Sequence, residues 1–146
     1  MTETIDEAPR SAVPRHFWIV AIVSLLWNAF GGVDYTMSHL QGEAWYRQMG
    51  MTETMIAGIN AYPTWMHAVW AIGVWGSVAG SILLLVRSRW AFHAFALSSL
   101  GAIGSLIYQA MNPVEGMGLV MPAVIVAIVL FFTWYAQWMT KRGVLR

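Results

Sequence analysis

Residues 64–86 read TWMHAVWAIGVWGSVAGSILLLV and contain no Asp, Glu, Lys or Arg. An apolar run of about 20 residues has the length that crosses a hydrocarbon core about 30 Å thick. Similar runs occur at about 17–38, 90–111 and 119–139. Because a helix satisfies all its backbone hydrogen bonds within lipid, the four runs predict an all-α integral membrane four-helix bundle, with one domain over 1–146.

The composition of the whole chain indicates the same environment. Of its 146 residues, 58% are hydrophobic and 10% are charged. Soluble domains carry about 25% charged residues, and a small soluble domain cannot bury so much apolar surface. These values exclude a soluble enzyme and a disordered tail, and a net charge of +1 gives no basic field for nucleic acid. The absence of cysteine excludes disulfides, thiolate metal ligands and cysteine nucleophiles.

Basic residues are distributed unevenly between the two sides of the predicted bundle. Four crossings place all but one of them on the side of the termini: Arg10, Arg15, Arg87, Arg89, Lys141, Arg142 and Arg146. Arg47 alone lies on the opposite side. Since loops rich in Lys and Arg stay in the cytoplasm, this asymmetry predicts that both termini are cytoplasmic.

The outer loop, residues 39–63, is the one sizeable segment outside the predicted spans. Its residues 43–49 and 52–56 have the pattern of short amphipathic helices on the membrane surface, with Trp45 and Tyr46 at headgroup depth. An ordinary polar loop is the alternative.

Small residues recur at helical spacing on the second and third spans. They are Gly73, Gly76, Ser77 and Gly80 on the second span and Ser98, Gly101, Ala102, Gly104 and Ser105 on the third. Lipid supplies no hydrophobic force between helices, so close backbone approach must hold them together. The short connection at 87–89 therefore predicts a tightly packed antiparallel hairpin.

The fourth span is different, because residues 124–132 are uniformly apolar with few small side chains. We expect it to face lipid over much of its circumference or to pack loosely against a partner protein. Trp27 and Trp75 lie too deep for the aromatic belt of a membrane protein, so they either line an apolar ligand site or belong to the core.

Asp34 is the one charged residue within a span, and such residues are costly enough to suggest a function. Four crossings bring several polar groups toward the same end of the bundle. The candidate ligand or proton site comprises Asn28, Asp34, Tyr35, His67, Tyr108 and Gln109. Asp34 beside His67 would raise the proton affinity of the imidazole, and the pair could relay protons or hold a cation. The alternative is a hydrogen bond that fastens the first span to the second.

Asn28 lies deeper in the first span than the other candidates. A buried amide usually bridges to another helix. Ser98, Ser99 or a backbone carbonyl could be its partner, and a ligand contact is the alternative.

Sequence motifs for catalysis are absent: there is no His-Glu-x-x-His, Gly-x-Ser-x-Gly, phosphate loop or dinucleotide fingerprint. The four histidines are scattered, and no two are spaced to share a helix face as metal ligands. We expect no enzymatic activity, no cofactor and no metal site.

Several segments of the chain resemble a known group of proteins. They are residues 17–21, 25–31, 62–65, 70–76 and 83–91. Together they resemble small bacterial inner-membrane proteins of unassigned role, often labelled "sugar transporter", over about 17–108. The resemblance implies four spans in the bacterial inner (plasma) membrane and carries over no binding residues.

These observations predict a small inner-membrane protein without catalytic machinery. It would act as an accessory or scaffold subunit, or it would bind an apolar ligand. Its expected partners are the lipid bilayer and either further copies of itself or a larger membrane complex, with no nucleic acid. The alternative is an oligomeric transporter of a sugar-like or other small solute, or one coupled to protons, using Asp34, His67 and Asn28.

Overall fold

A computed structural model describes residues 12–146, which form six α-helices and no β-strand. Four helices are long and apolar enough to cross a membrane: α1 (Arg15–Leu40), α4 (Thr64–Leu85), α5 (Trp90–Met111) and α6 (Val120–Lys141). They pack together, so the predicted all-α four-helix fold is confirmed. The chain is a small multi-pass membrane protein in contact with the lipid bilayer.

The helix boundaries differ by a few residues from the predicted spans. The first helix extends beyond 17–38 at both ends, and α6 extends beyond 139 to Lys141. α4 ends one residue before the predicted 86, whereas α5 coincides with 90–111. The extensions arise because polar residues such as Arg15 and His39 continue a helix beyond the apolar run.

The outer loop folds into two short helices, α2 (Glu43–Gln48) and α3 (Glu53–Asn60). The Thr52 side chain caps α3 by accepting a hydrogen bond from the backbone N–H of Met55 at 3.3 Å. We call α2 and α3 together the cap, and we call the end of the bundle that carries them the cap end. The opposite end, with Arg15, the α4–α5 turn and Lys141, is the basic end.

The four long helices follow one another around the bundle in the order α1, α4, α5, α6. The largest cluster of buried apolar residues lies toward the basic end: Phe17, Ala21, Leu84, Ala91, Phe95, Val129, Phe132, Tyr135, Ala136, Met139, Val144 and Leu145. There α1 also meets α6, because His16 Nδ1 and the Tyr135 hydroxyl are 2.7 Å apart and the His16 ring stacks on Trp138.

Glycines bring α4 and α5 into backbone contact. A Cβ added at Gly101 would lie 2.8 Å from the Gly73 nitrogen, and one at Gly76 would lie 3.1 Å from the Ser98 Cβ. The Ser98 hydroxyl donates a hydrogen bond to the Gly73 carbonyl. Gly80 faces the Phe95 ring at a distance that leaves no room for a side chain.

The other small residues of the two stripes differ in how closely they approach the neighbouring helix. Ala102 lies beside Gly73, while Gly104 makes only an ordinary contact with Val69. The Ser77 hydroxyl donates to a carbonyl of its own helix, and the Ser105 carbonyl accepts from Gln109. The close contact in the hairpin therefore depends on Gly73, Gly76, Gly80 and Gly101.

Candidate functional site

One face of α6 changes from buried to exposed along its length. Met139, Ala136, Phe132 and Val129 follow one another at steps of three or four residues, and each is at most 4% exposed. The next two residues on this face, Ile125 and Met121, are 43% and 62% exposed. We call Ile125 and Met121 the open stripe of α6. This face of α6 is therefore closely covered toward the basic end and less covered toward the cap end, where Val126 and Pro122 on an adjacent face are half-buried.

The polar side chains inside the bundle mostly bond to one another. Asn28 Nδ2 donates to Ser81 Oγ at 2.8 Å, and the Ser24 and Ser81 hydroxyls are 2.7 Å apart. Ser81 also donates to the carbonyl of Ser77. Asn28 bridges to another helix as predicted, but its partner is Ser81 and not Ser98 or Ser99, because α1 packs against α4. Ser98 bonds to α4 and Ser99 to α6.

Ser99 forms the corresponding polar link between α5 and α6. Its hydroxyl lies 2.9 Å from the Thr133 hydroxyl, and each of the two also donates to a carbonyl of its own helix. Each neighbouring pair of long helices thus has a side-chain hydrogen bond near its contact.

Asp34 bonds to the cap. Its Oδ1 accepts a hydrogen bond from Trp45 Nε1 at 2.9 Å, which connects α1 to α2. Within residues 12–146 no ion pair forms between Asp34 and His67. The expected pairing of these two residues is therefore corrected: Asp34 Oδ1 bonds to the Trp45 indole, and His67 belongs to a different group of side chains.

His67 joins an aromatic group between α1 and α4. Its ring centroid lies 6.1 Å from that of His39, which stacks on Tyr35 at 4.2 Å. The Trp70 ring contacts both His39 and Tyr35. The His39 Nδ1 lies 2.9 Å from the Tyr35 carbonyl, so this nitrogen must carry the proton of the bond.

Tyr108 and Gln109 lie apart from these groups. Tyr108 packs edge-on against Tyr62 and Trp65, each at 5.3 Å between ring centroids. Gln109 Nε2 donates to the carbonyl of Ser105 on its own helix. The six predicted site residues therefore fall into five local groups and do not form one constellation.

The cap covers the cap end from α1 to the α5–α6 loop. Tyr46, Ile56 and Ile59 form its buried core. Gly58 lies so close to Val114 of the α5–α6 loop that any side chain there would collide with it. Burial raises the pKa of the Tyr46 hydroxyl above its ordinary value.

Charged residues of the cap form a surface network. Arg47 bonds to Glu53 at 2.7 Å and to Glu43 at 2.9 Å, and Glu43 also accepts from Asn60. The hydrogen bond from Arg47 lowers the pKa of the Glu53 carboxyl below its ordinary value. This network joins α2 to α3.

A groove between α1 and α4 opens on the side of the bundle. It has a volume of about 380 Å³ and an almost wholly apolar lining: Ala29, Gly32, Val33, Thr36, Met37, Trp75 and Val78. Gly32 lies under the Trp75 ring, whose carbons would be 3.8 Å from a Cβ at that position. The sequence suggested either a ligand site or a core position for Trp75, and the structure places it at the wall of this groove.

The described residues contain no group of three or more His, Asp or Glu side chains positioned to hold a metal ion. Comparisons with known protein families, with curated proteins and with solved structures found no match. The resemblance to small inner-membrane proteins therefore stays a prediction. The structure itself supports a small multi-pass membrane protein whose distinctive surfaces are the open stripe and the α1–α4 groove.

The sequence did not predict the hydrogen bonds of Ser81 and Trp45. Ser81 continues the small-residue pattern of the second span, but its side chain bonds toward α1 instead of α5. The sequence predicts headgroup depth for Trp45 but no partner, although its indole N–H is a signal for a bond to a nearby carboxylate.

Proposed function

We propose that this protein is a non-catalytic accessory subunit of a membrane complex, and that the open stripe of α6 binds a transmembrane helix of the partner. The observation that carries the proposal is the change in exposure between Val129 and Ile125. The same face that packs against neighbouring helices toward the basic end is less covered toward the cap end.

A helix is the occupant that fits this surface best. Ile125 and Met121 continue the spacing of three or four residues by which Val129 and Phe132 pack against other helices. In lipid, helices associate through van der Waals packing, and a second helix fills such a stripe more completely than mobile acyl chains do. A partner helix would extend the helix contacts of α6 toward the cap end.

The polar groups within the spans support a structural role. The hydroxyl of Ser81, the amide nitrogen of Asn28 and the carboxylate of Asp34 all bond to other residues of the chain. Their arrangement serves to hold α1 against α4 and the cap. We therefore propose no enzymatic role for these groups.

The distribution of basic residues supports one orientation of the protein across the membrane. Basic residues at the basic end would face the cytoplasm by the positive-inside rule, with the cap on the outer side of a bacterial inner membrane. This orientation would place the open stripe in the outer leaflet.

The test is gentle extraction of the full chain into native lipid particles, followed by measurement of the size and composition of what co-purifies. We expect a stoichiometric larger complex. Ile125→Trp should disrupt it by occupying the stripe, whereas Leu130→Trp should not, because Leu130 is similarly exposed on another face of α6. Recovery of the protein alone, or only with further copies of itself, would contradict the accessory role.

The α1–α4 groove favours a second candidate function, the binding of an apolar molecule. Its volume and its lining with Trp75 and Gly32 suit an acyl or isoprenoid chain that enters from the bilayer. Gly32→Leu would fill the groove. Loss of a specific apolar molecule from the extracted Gly32→Leu protein would support this function, and retention of the same lipids as in the parent would contradict it.

A further inference from the structure

α4 and α6 end in the same backbone motif at the basic end. Each closes with the paired hydrogen bonds of a Schellman motif, in which the residue after the C-cap adopts a left-handed conformation. At the end of α6 this residue is Gly143, with φ of 72°. At the end of α4 it is Arg87, with φ of 60°, and a side chain is disfavoured at such a position. Backbone strain of this kind is concentrated at functional sites.

Hydrogen bonds to the end of the chain hold Arg87 in place. Its Nε donates to the Val144 carbonyl at 3.1 Å, and its own carbonyl accepts from the Arg146 N–H at 2.9 Å. The Arg89 N–H donates to the Arg146 carbonyl, also at 2.9 Å. Residues 143–146 therefore lie across the α4–α5 turn and fix the direction of the Arg87 guanidinium.

A pocket of about 290 Å³ lies beside this contact, lined by Val86, Arg87, Ser88 and Arg146. The Ser88 oxygen accepts a bond from the Trp90 N–H, and its hydroxyl hydrogen has no acceptor among residues 12–146. It is free to donate to a ligand. The side chains of the lining residues Arg87, Arg146 and Ser88 carry guanidinium and hydroxyl donors, which suit the oxygens of a phosphate group.

The charged side chains that the structure describes at this end of the bundle are all basic. The basic residues of the described chain at this end are Arg15, Arg87, Arg89, Lys141, Arg142 and Arg146. The acidic residues that the structure describes, Asp34, Glu43, Glu53 and Glu115, all belong to the cap end. Within residues 12–146, an anion at the pocket would therefore lie nearer to basic than to acidic side chains.

The position of the pocket indicates where such an anion comes from. Val86 beside it is 68% exposed, and Trp90 on the next helix is 58% exposed. An exposed apolar residue and an exposed tryptophan at the end of two spans are typical of the headgroup region. We propose that the pocket binds the phosphate of an anionic phospholipid, with the acyl chains lying along the exposed apolar side of α4. This inference is independent of the proposed accessory role.

The test uses the purified full chain in neutral detergent and measures its thermal unfolding with phosphatidylglycerol, phosphatidylcholine or inorganic phosphate. We expect phosphatidylglycerol to raise the Tm well above the value in phosphatidylcholine, since a ligand of the folded state stabilises it. Equal shifts from the two lipids would overturn the proposal. An equal shift from inorganic phosphate would also overturn it, because the site would then take a free anion.

Arg87→Gly separates ligand binding from folding. Glycine suits the left-handed backbone, and this gain offsets the loss of the bond from Arg87 Nε to the Val144 carbonyl, so the lipid-free Tm should change little. The apparent affinity for phosphatidylglycerol should weaken by about tenfold, as expected for the loss of one charge-assisted contact. Arg15→Gln is the control, because it removes a charge at the same end outside the pocket lining. If Arg87→Gly keeps the full phosphatidylglycerol shift, or Arg15→Gln loses as much of it, the site is not the one proposed.

Discussion

Asn28 and Ser81 join α1 to α4 inside the bundle, with Asn28 Nδ2 donating to Ser81 Oγ over 2.8 Å. Both side chains are buried, and Ser24 completes the group through its own bond to Ser81. In a bilayer, burial of apolar surface gives no force between helices. Such hydrogen bonds therefore help determine which helices pack against each other.

Asn28→Leu should lower the free energy of unfolding by about 1 kcal/mol, the range measured for hydrogen bonds between membrane helices. The Ser24–Ser81 bond remains and limits the loss. Reversible unfolding in mixed detergent micelles measures the change. Leu26→Ala is the control, because Leu26 is exposed on the same helix. A loss no greater for Asn28→Leu than for Leu26→Ala would show that the bond contributes little.

Gly101→Ala should separate α4 from α5. Its Cβ would lie 2.8 Å from the Gly73 nitrogen and 3.0 Å from the Val69 carbonyl oxygen, and neither backbone atom can move alone. We expect a loss of about 1–3 kcal/mol in unfolding free energy, typical of overpacking.

Gly104→Ala provides the matched control for this prediction, because its nearest neighbour is the Val69 side chain at an ordinary 3.6 Å. It should be neutral or stabilise the protein by up to about 1 kcal/mol through helix propensity. Both variants are measured by the same unfolding assay. Equal effects of the two substitutions would contradict the close packing at Gly101.

Trp45→Phe should loosen the cap, since it keeps an aromatic ring but removes the N–H that bonds to Asp34. Asp34→Asn should have a smaller effect, because the amide oxygen can still accept the bond. Hydrogen exchange of the α2 amides measures both, and we expect several-fold faster exchange in Trp45→Phe alone. If Asp34→Asn abolishes uptake of a solute into vesicles while the cap stays protected, the charge has a transport role and the anchoring account of Asp34 is wrong.

The Arg47–Glu53 bond should depend on pH. Because the pKa of Glu53 is lowered in the folded protein, the bond stabilises the cap above the ordinary glutamate range and is lost as the pH falls through the lowered value. Both groups are on the surface, so high salt should weaken the effect.

A titration of the Glu53 carboxyl by NMR measures this dependence. Its midpoint should lie below the ordinary glutamate pKa in the parent protein and return to about 4.3 in Arg47→Gln. An unchanged midpoint in Arg47→Gln would show that the ion pair is not formed in solution.

The sequence predicted the four helices and the glycine contacts between α4 and α5 because both depend on local features. The length of an apolar run identifies a membrane span, and the short turn at 87–89 makes α4 and α5 neighbours. The partners of Asn28 and Asp34 could not be predicted in this way. They depend on the order of helices around the bundle and on how the cap folds back over α1, which periodicity along one helix does not determine.

The open stripe was only partly predictable. The apolar residues 124–132 indicated lipid or a partner protein, but Val129 and Ile125 are equivalent in the sequence pattern. They differ in the structure, where Val129 is 4% exposed and Ile125 is 43% exposed. Similarly, no pattern around Arg87 indicated a left-handed residue, since glycine is the usual signal for that conformation.

The proposed binding of another membrane protein's helix to the open stripe of α6 can be tested by cross-linking. The most direct measurement places a photoreactive amino acid at Ile125 in native membranes and identifies what becomes attached, with the same group at Leu130 as the control. The two positions are 43% and 45% exposed but lie on different faces of α6. We predict attachment to a distinct membrane protein from position 125 and to lipid alone from position 130. Attachment to lipid alone at both positions, or to a second copy of this chain at position 125, would contradict the account.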